Sequence, residues 1–483
     1  MNTQRFGFVL VCLFLGLPHY VLAQAVKHYT KLEYSPLSDI SIPDIRKTTL
    51  PNGMRLYLLE DHELPLVHFS AIIRTGSLYE PADKTGLAEI TGQVMRTGGT
   101  ATHTGDELDA LLESLAASVE TSIGQGSGSA SASALTEDVD TILPIFAEVL
   151  MSPAFRADKL QLALMQHSSA IARRNDHPSD IADREFTKLI YGSESPYARQ
   201  TEYHTLASIS QQDLIEFHQR FFVPNNVMLA VWGDFESERM IEKINQAFAA
   251  WEKRTVNIPN RPTVDYTYPK TVNLIRKPDI NQSHITMGHI GGLRSDPDYF
   301  ALIVANRILG SGFTGRLFKN VRSRLGLAYS VYGYYGAHFA HPGIFYVGCQ
   351  TKSESTVQAI EAMTAEVFRM TQEDVTEEEL AVAKESFLNS FVFNFDTRGE
   401  IINRLMIYDY YGYPADFLQR TKRGIESVTQ PDVRRVAQQH YHPDKMQILI
   451  VGRPGDFDRP LSVLGDVNEI DITIPPPPQM DSD

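Results

Sequence analysis

Cysteine and tryptophan are almost absent from the 483 residues, with two of each. Cys12 falls in an apolar amino-terminal run, so removal of that run strands Cys349 without a partner and excludes an internal disulfide. As a metal ligand Cys349 has no neighbour of the right type, and a buried hydrophobe is the better reading. Positive charge is also scarce, with Lys and Arg numbering 44 against 59 Asp and Glu, a formal net charge of −15. That balance argues against nucleic acid or an anionic membrane surface as partner, and is compatible with basic peptides. After the amino-terminal run no segment is apolar enough to cross a bilayer.

What is present is ordinary globular composition, 43% hydrophobic and 21% charged, at a length that predicts more than one domain. Residues 1–23 combine Arg5, an apolar run from Phe6 to Leu17 and the small-residue ending Val21-Leu22-Ala23. They read as a secretory signal peptide cut after Ala23, which places the mature chain in the periplasm or outside the cell and makes its charge −16.

The chain repeats itself. Ser208, Gln211, Asp213, Gln219, Pro224 and Gly233 match Ser427, Gln430, Asp432, Gln438, Pro443 and Gly452, every pair 219 residues apart, as Pro224 and Pro443 are. Both copies describe a capped helix, a proline-enforced extended entry and an apolar strand ending at glycine. The expected organisation is two related domains, residues 30–251 and 266–465, joined by a Pro- and Asn-rich linker at 252–265 and followed by a disordered Pro-rich tail at 466–483. Strands such as "MRLYLLED" and "VHFSAIIRTG" alternate with long helical stretches, which gives an α+β fold of two homologous α/β-sandwich domains, each a mixed sheet covered by helices. "IGQGSGSASASA", starting at Ile123, suits either a flexible linker or a strand of small residues lying close to another backbone; the strand is preferred.

In "TGLAEITGQVMRTGGT" the apolar Leu87, Ile90, Val94 and Met95 define one helix face, and Glu89, Gly92 and Gln93 share another. Together with "LGSGFTGRLFKNVRSRLGLAYSV" in the second domain, this stretch resembles the pitrilysin or insulinase-type metallopeptidases, and most closely their compact two-domain branch that includes the mitochondrial processing peptidase. The resemblance runs from Leu50 to Gly452 and implies domains arranged as half of a clamshell. In that family HxxEH supplies two zinc ligands and a general base, and a Glu on a later helix completes the site. Here Glu89 and Gln93 stand in place of the two His, Gly92 in place of the base, and the third ligand falls near Ile171, counted from the Asn-Asp-x-Pro at Asn175 to Pro178.

One carboxylate, an amide and an aliphatic chain do not hold zinc, and glycine cannot take a proton. Glu89 is either a weak acid-base group or a solvated helix residue, and the second reading is preferred. Elsewhere, His338, His341, His440 and His442 read as hairpin or helix-end residues, and His284 and His289 face opposite sides of a strand. Gly310, Gly312 and Gly315 read as a helix-ending turn, since no Lys-Ser/Thr follows them.

Arg322 and Tyr329 match the Arg and Tyr that, in working family members, reach from the second domain toward the zinc site and stabilise the oxyanion. Taken alone, an Arg pairing on a helix and a Tyr at a strand start would serve equally well as packing. The resemblance therefore implies a zinc-free subunit of an exported heterodimeric metalloendopeptidase. No cofactor is expected in this chain; zinc is expected in a partner bearing HxxEH, and the substrates are unfolded peptides. The alternative is a non-enzymatic peptide-binding or scaffold protein of the same fold.

Overall fold

"LVHFSAII" alternates buried and half-buried positions along its whole length, the period of two expected of a strand with both faces in use. It is the third strand of the first sheet in the computed structural model, which describes residues 42–477. Strands β1 (Arg46–Thr49), β2 (Arg55–Glu60), β3 (Leu66–Ile73), β4 (Ser118–Ile123), β5 (Gly128–Leu135) and β6 (Val227–Gly233) form that sheet in the order β1-β2-β6-β3-β5-β4. Its helices are α1 (Leu87–Thr97), α2 (Gly105–Ser114), α3 (Val139–Met151), α4 (Ala157–Arg173), α5 (Pro178–Tyr191), α6 (Tyr203–Ala207), α7 (Gln211–Phe221) and α8 (Ser237–Ala247).

The second half repeats the plan. Strands β7 (Thr271–Arg276), β8 (Gln282–Ile290), β9 (Gly292–Leu293), β10 (Ala328–His338), β11 (Pro342–Lys352), β12 (Gln447–Gly452) and β13 (Val467–Glu469) are ordered β13-β7-β12-β8-β11-β10-β9. Helices α9 (Tyr299–Gly310), α10 (Thr356–Gln372), α11 (Glu377–Phe391), α12 (Arg398–Tyr411), α13 (Phe417–Ser427) and α14 (Gln430–His440) accompany them. The run β2-β6-β3-β5-β4 corresponds to β7-β12-β8-β11-β10, with the first pair parallel and the second antiparallel in both sheets. The fold is thus two mixed sheets covered by helices. The serine-alanine run is β5, paired with β3 and β4.

The repeated polar residues have a shared structural task. Ser210 and Thr429 close capping boxes with Asp213 and Asp432 at the starts of α7 and α14. Gln211 donates its amide to the Phe155 carbonyl just before α4, and Gln430 donates to the Val375 carbonyl just before α11. Each repeat therefore fastens its capped helix to the entrance of the second helix after its two-stranded meander.

The halves exchange helices. α5, from the first half, lays Ile181, Ala182, Phe186 and Ile190 on Ile275, Leu449 and Val451 of the second sheet. α12, its counterpart in the second half, lays Ile402, Met406 and Tyr410 on Tyr57, Leu59, Met228 and Ala230 of the first. The described residues form one compact unit, because each sheet's second face is completed by the other half.

Two sequence expectations meet the structure differently. The signal peptide at 1–23 lies outside the described residues. The tail expected to be disordered from residue 466 instead packs on the fold from Val467 to Ile474. β13 adds to β7 in parallel, Ile470 N–H donates to the Leu274 carbonyl at 2.9 Å, and Asn175 Nδ2 donates to the Ile472 carbonyl at 2.7 Å. Ile470, Ile472 and Ile474 alternate with polar residues and pack half-buried against the two halves, a period-two signal that the neighbouring prolines obscured.

Candidate functional site

Helix α1 begins at Gly86, whose φ of 107° rules out an ordinary capping side chain. The cap comes from Glu80, which is 6% exposed and accepts Gly86 N–H at 3.1 Å and Ala88 N–H at 2.8 Å. Burial pushes the Glu80 carboxyl up, the two N–H donors and Arg199 pull it back, and Glu89 adds to the rise. Arg199 also donates to the Glu80 carbonyl at 2.7 Å and the Ser77 carbonyl at 3.0 Å. Glu80 and Arg199 were not singled out in the sequence; the signal for them was the missing cap at "TGLAE".

These residues floor a cavity of about 590 Å³ bounded by α1, the edge strand β4 and the segment 196–201. Glu89 and Gln93 line it, with Glu120, Gln125, Tyr197 and Arg199 among their neighbours. Gln93 is engaged by α4: its Nε2 donates to Gln166 Oε1 at 2.7 Å, and its Oε1 lies 3.3 Å from His167 Nε2.

Gly92 is buried with its carbonyl accepting from Thr121 Oγ1 at 2.6 Å, and a Cβ built on it would stand 2.4 Å from the Ile123 nitrogen. β4 has closed on the helix at the position where a base would project. Ile171 does not line the cavity; it is 5% exposed in the first core, on the same α4 stripe as Leu160 and Ala163. Counting from the Asn-Asp-x-Pro that follows placed it at the site, whereas helical periodicity turns it inward. Among the described residues no group of three or more His, Cys, Asp or Glu is placed to hold a metal ion.

Arg322 and Tyr329 are brought together, and neither lines that cavity. Arg322 sits in a π-helical segment, Phe318–Arg324, with its guanidinium 4.7 Å from the Phe318 ring centroid and 4.8 Å from that of Tyr329. Tyr329 falls where the β10–β11 register shifts, between Ala328 opposite Thr351 and Ser330 opposite Gln350, and it is 81% exposed. A π-turn and a β-bulge each redirect a side chain out of its regular row, and both recur at functional positions. The segment is anchored by Arg316, whose Nε and one terminal nitrogen grip Glu379 at 2.7 and 2.8 Å. Burial would raise the Glu379 carboxyl, but Arg316 and the Thr376 N–H outweigh it and hold it at about 2.

Of the remaining sequence readings, Cys349 is buried and its thiol is pushed up to about 12 by desolvation, the state of an inert core residue. Gly310 ends α9 with room for no side chain, its built Cβ standing 2.4 Å from the Gly333 nitrogen.

Comparison with protein families matches residues 57–199 to Insulinase (Peptidase family M16) and residues 208–387 to the Peptidase M16 inactive domain. The chain belongs to peptidase family M16. A relative in Bacillus subtilis, named uncharacterized zinc protease YmxG, is 25% identical over 362 residues, 74% of this chain and 87% of the relative. The M16 inactive domain from Pseudomonas fluorescens superposes with a TM-score of 0.77 at 24% identity, covering 85% of this chain and 98% of that one. The periplasmic protease PqqL of Escherichia coli superposes with a TM-score of 0.73 at 13% identity, covering 94% of this chain and 49% of that one. No helix among the described residues is long and apolar enough to cross a membrane.

Proposed function

We propose that this M16 chain is the zinc-free subunit of an exported two-chain peptidase, contributing Arg322 and Tyr329 to a partner that carries HxxEH and zinc. The observation that carries the reading is the asymmetry between its halves. In the first, Glu89 is the one carboxylate on the inherited face of α1, Gln93 is tied to Gln166 and Gly92 is walled by β4. Zinc needs three good donors and an open position, and this donor set does not fit it. In the second half, two groups suited to an anionic transition state are held outward on special backbone geometry.

Arg322 offers a permanent fork-shaped cation and Tyr329 a directed hydroxyl. Set against a peptide carbonyl in a partner's site, they would hold the substrate backbone and the oxygen on which charge develops. Stacking under Arg322 keeps the pair organised before substrate arrives, which is where an oxyanion donor gains most of its effect. Export is supported by the signal-like amino-terminal sequence and by the similarity of the fold to PqqL, a periplasmic protease.

The test is co-expression with an HxxEH-bearing M16 chain from the same genome. The expected result is a stable complex that cleaves unfolded peptides, with no stoichiometric zinc and no metal-dependent hydrolysis in this chain alone. A lone chain that binds one zinc and turns over peptide would overturn the proposal. A complex whose turnover is indifferent to Arg322→Ala and Tyr329→Phe would favour the scaffold alternative.

A further inference from the structure

One face of the second sheet is only half covered. α5 seals it over β7, β12 and part of β8 and reaches Tyr346 of β11 at its margin, while Tyr332 and Tyr334 of β10 remain beyond the helix. They share a face because Tyr334 opposes Tyr346 and Tyr332 opposes Gly348, two residues along each strand. Tyr332 is 38% and Tyr334 49% exposed. The Tyr332 ring packs against Gly348: a Cβ built there would meet the ring at 2.7 Å. Ring centroids of Tyr332 and Tyr346 are 6.0 Å apart, and those of Tyr334 and Tyr346 are 5.8 Å apart. The three rings form a fixed aromatic corner on an otherwise hydrophilic stretch with Ser330, Gln350 and His284.

A carboxylate faces this corner without a cation. Asp183 is the exposed residue next to Ala182 of α5, which packs in the same cluster as Tyr346, and its charge acts on both Tyr332 and Tyr346. Partial desolvation raises the Asp183 carboxyl, and the one charged group acting on it is Asp180, which raises it further. Ring faces and carboxylates carry the same sign of potential, so together they leave a negative corner that nothing in the described structure neutralises. The adjoining backbone is open as well. Among the described residues β10 is paired on its outer edge at Ala337 and His338 alone, so there the stretch carrying Tyr332 and Tyr334 presents unpaired N–H and C=O groups.

We infer that the corner formed by Tyr332, Tyr334, Tyr346 and Asp183 is a subsite for a lysine or arginine side chain of an extended peptide lying along β10. The open strand edge selects an extended chain, whose alternate side chains then fall on the tyrosine face. The rings accept the cation on their faces and Asp183 supplies the counter-charge. This deepens the peptide-handling reading above and rests on it, yet it concerns binding by this chain and needs neither partner nor turnover.

The test is fluorescence anisotropy on the purified full chain with a labelled ten-residue peptide carrying arginine at alternate positions, against the same peptide with glutamate in those positions. The basic peptide is expected to bind and the acidic one not. Asp183→Asn and Tyr332→Leu should each weaken binding by about five-fold, the scale of one partly desolvated cation–π contact. Tyr332→Phe keeps the ring face and should keep the affinity; Asp183 and Tyr332 are solvent-exposed, and circular dichroism checks that each variant folds. Equal binding of both peptides, or an Asp183→Asn protein that binds the basic peptide unchanged, would overturn the subsite. Loss of affinity in Tyr332→Phe would also overturn it, in favour of recognition through the hydroxyl. Tetramethylammonium that fails to compete at any concentration would argue against a cation-binding corner. Basic-peptide binding with no HxxEH partner ever found would leave the subsite standing while the subunit proposal falls.

Discussion

The guanidinium of Arg322 lies 4.8 Å from the centre of the Tyr329 ring, so a π-helical turn and a strand bulge in the second half present one composite group. Neither residue is needed to fill a core. Tyr329→Phe should therefore leave the melting temperature of this chain unchanged while lowering kcat of the two-chain peptidase by about 100-fold, the lower end for loss of one oxyanion donor. Arg322→Lys keeps the charge but loses the fork and the stacking, and should behave nearly as badly as Arg322→Ala. Steady-state kinetics of the complex, beside thermal melts of the isolated chain, separates these outcomes from a packing defect.

A second expectation concerns the closed wall of the vanished metal site. Because a Cβ at position 92 would stand 2.4 Å from the backbone of Ile123, Gly92→Ala must push α1 away from β4. The cost should be about 1–3 kcal/mol, typical of overpacking against backbone that has little room to move. The same clash blocks simple resurrection. A chain carrying Glu89→His, Gly92→Glu and Gln93→His should be destabilised and should fail to bind zinc at one equivalent in calorimetry. Tight stoichiometric zinc in that triple variant would show that the strand yields easily.

Much of this was legible in sequence, for identifiable reasons. The repeat was visible because capping residues, Gln211 with Gln430 and Pro224 with Pro443, are fixed by local geometry that each copy must reproduce. The exchange of α5 and α12 was not visible, since amphipathic faces state that they are buried and not which sheet buries them. Glu89, Gly92 and Gln93 could be placed on one helix face from spacing alone, but the closure of β4 on Gly92 is a tertiary distance with no local signature. Ile171 was misplaced by counting from a motif across a helix whose own apolar stripe points it inward. The isoleucines at 470, 472 and 474 carried a clean strand period that adjacent prolines masked.

Acid should loosen the seam between the halves. His341, from the second half, stacks on Tyr197 of the first at 4.2 Å and on His338 at 4.6 Å. Burial first, then His338 and Arg261, push its pKa down to about 4. A group whose folded pKa lies below its unfolded value contributes stability that is present above the unfolded value, about 6.5 for histidine, and is lost as pH falls toward the folded one. Stability measured by urea unfolding should therefore decline between about pH 6.5 and 4. His341→Gln, which cannot take up the proton, should make that limb shallower, leaving the part contributed by His218 and His289, which burial also pushes down to about 4; an unchanged slope in the variant would assign the acid sensitivity to those groups.

The helix exchange makes a prediction about cooperativity. The chain has two tryptophans, Trp232 and Trp251; Trp232 lies against Gly399 of α12 from the second half, so in a Trp232→Phe background the emission of Trp251, buried in the first core, reports on the first half alone. Leu449 is fully buried in the second sheet, beneath α5. Leu449→Ala should cost about 2–5 kcal/mol, the usual penalty for emptying such a site. Were the halves independent, tryptophan emission would ignore that loss while circular dichroism recorded it. But α5 leaves the first half to cover Leu449, and α12 returns to cover Met228 and Ala230, so neither sheet can keep its second face once the other unfolds. Both probes should therefore shift to the same lower urea midpoint, in one transition. A tryptophan midpoint that stays at the wild-type value would show that the exchanged helices pack without coupling the two halves.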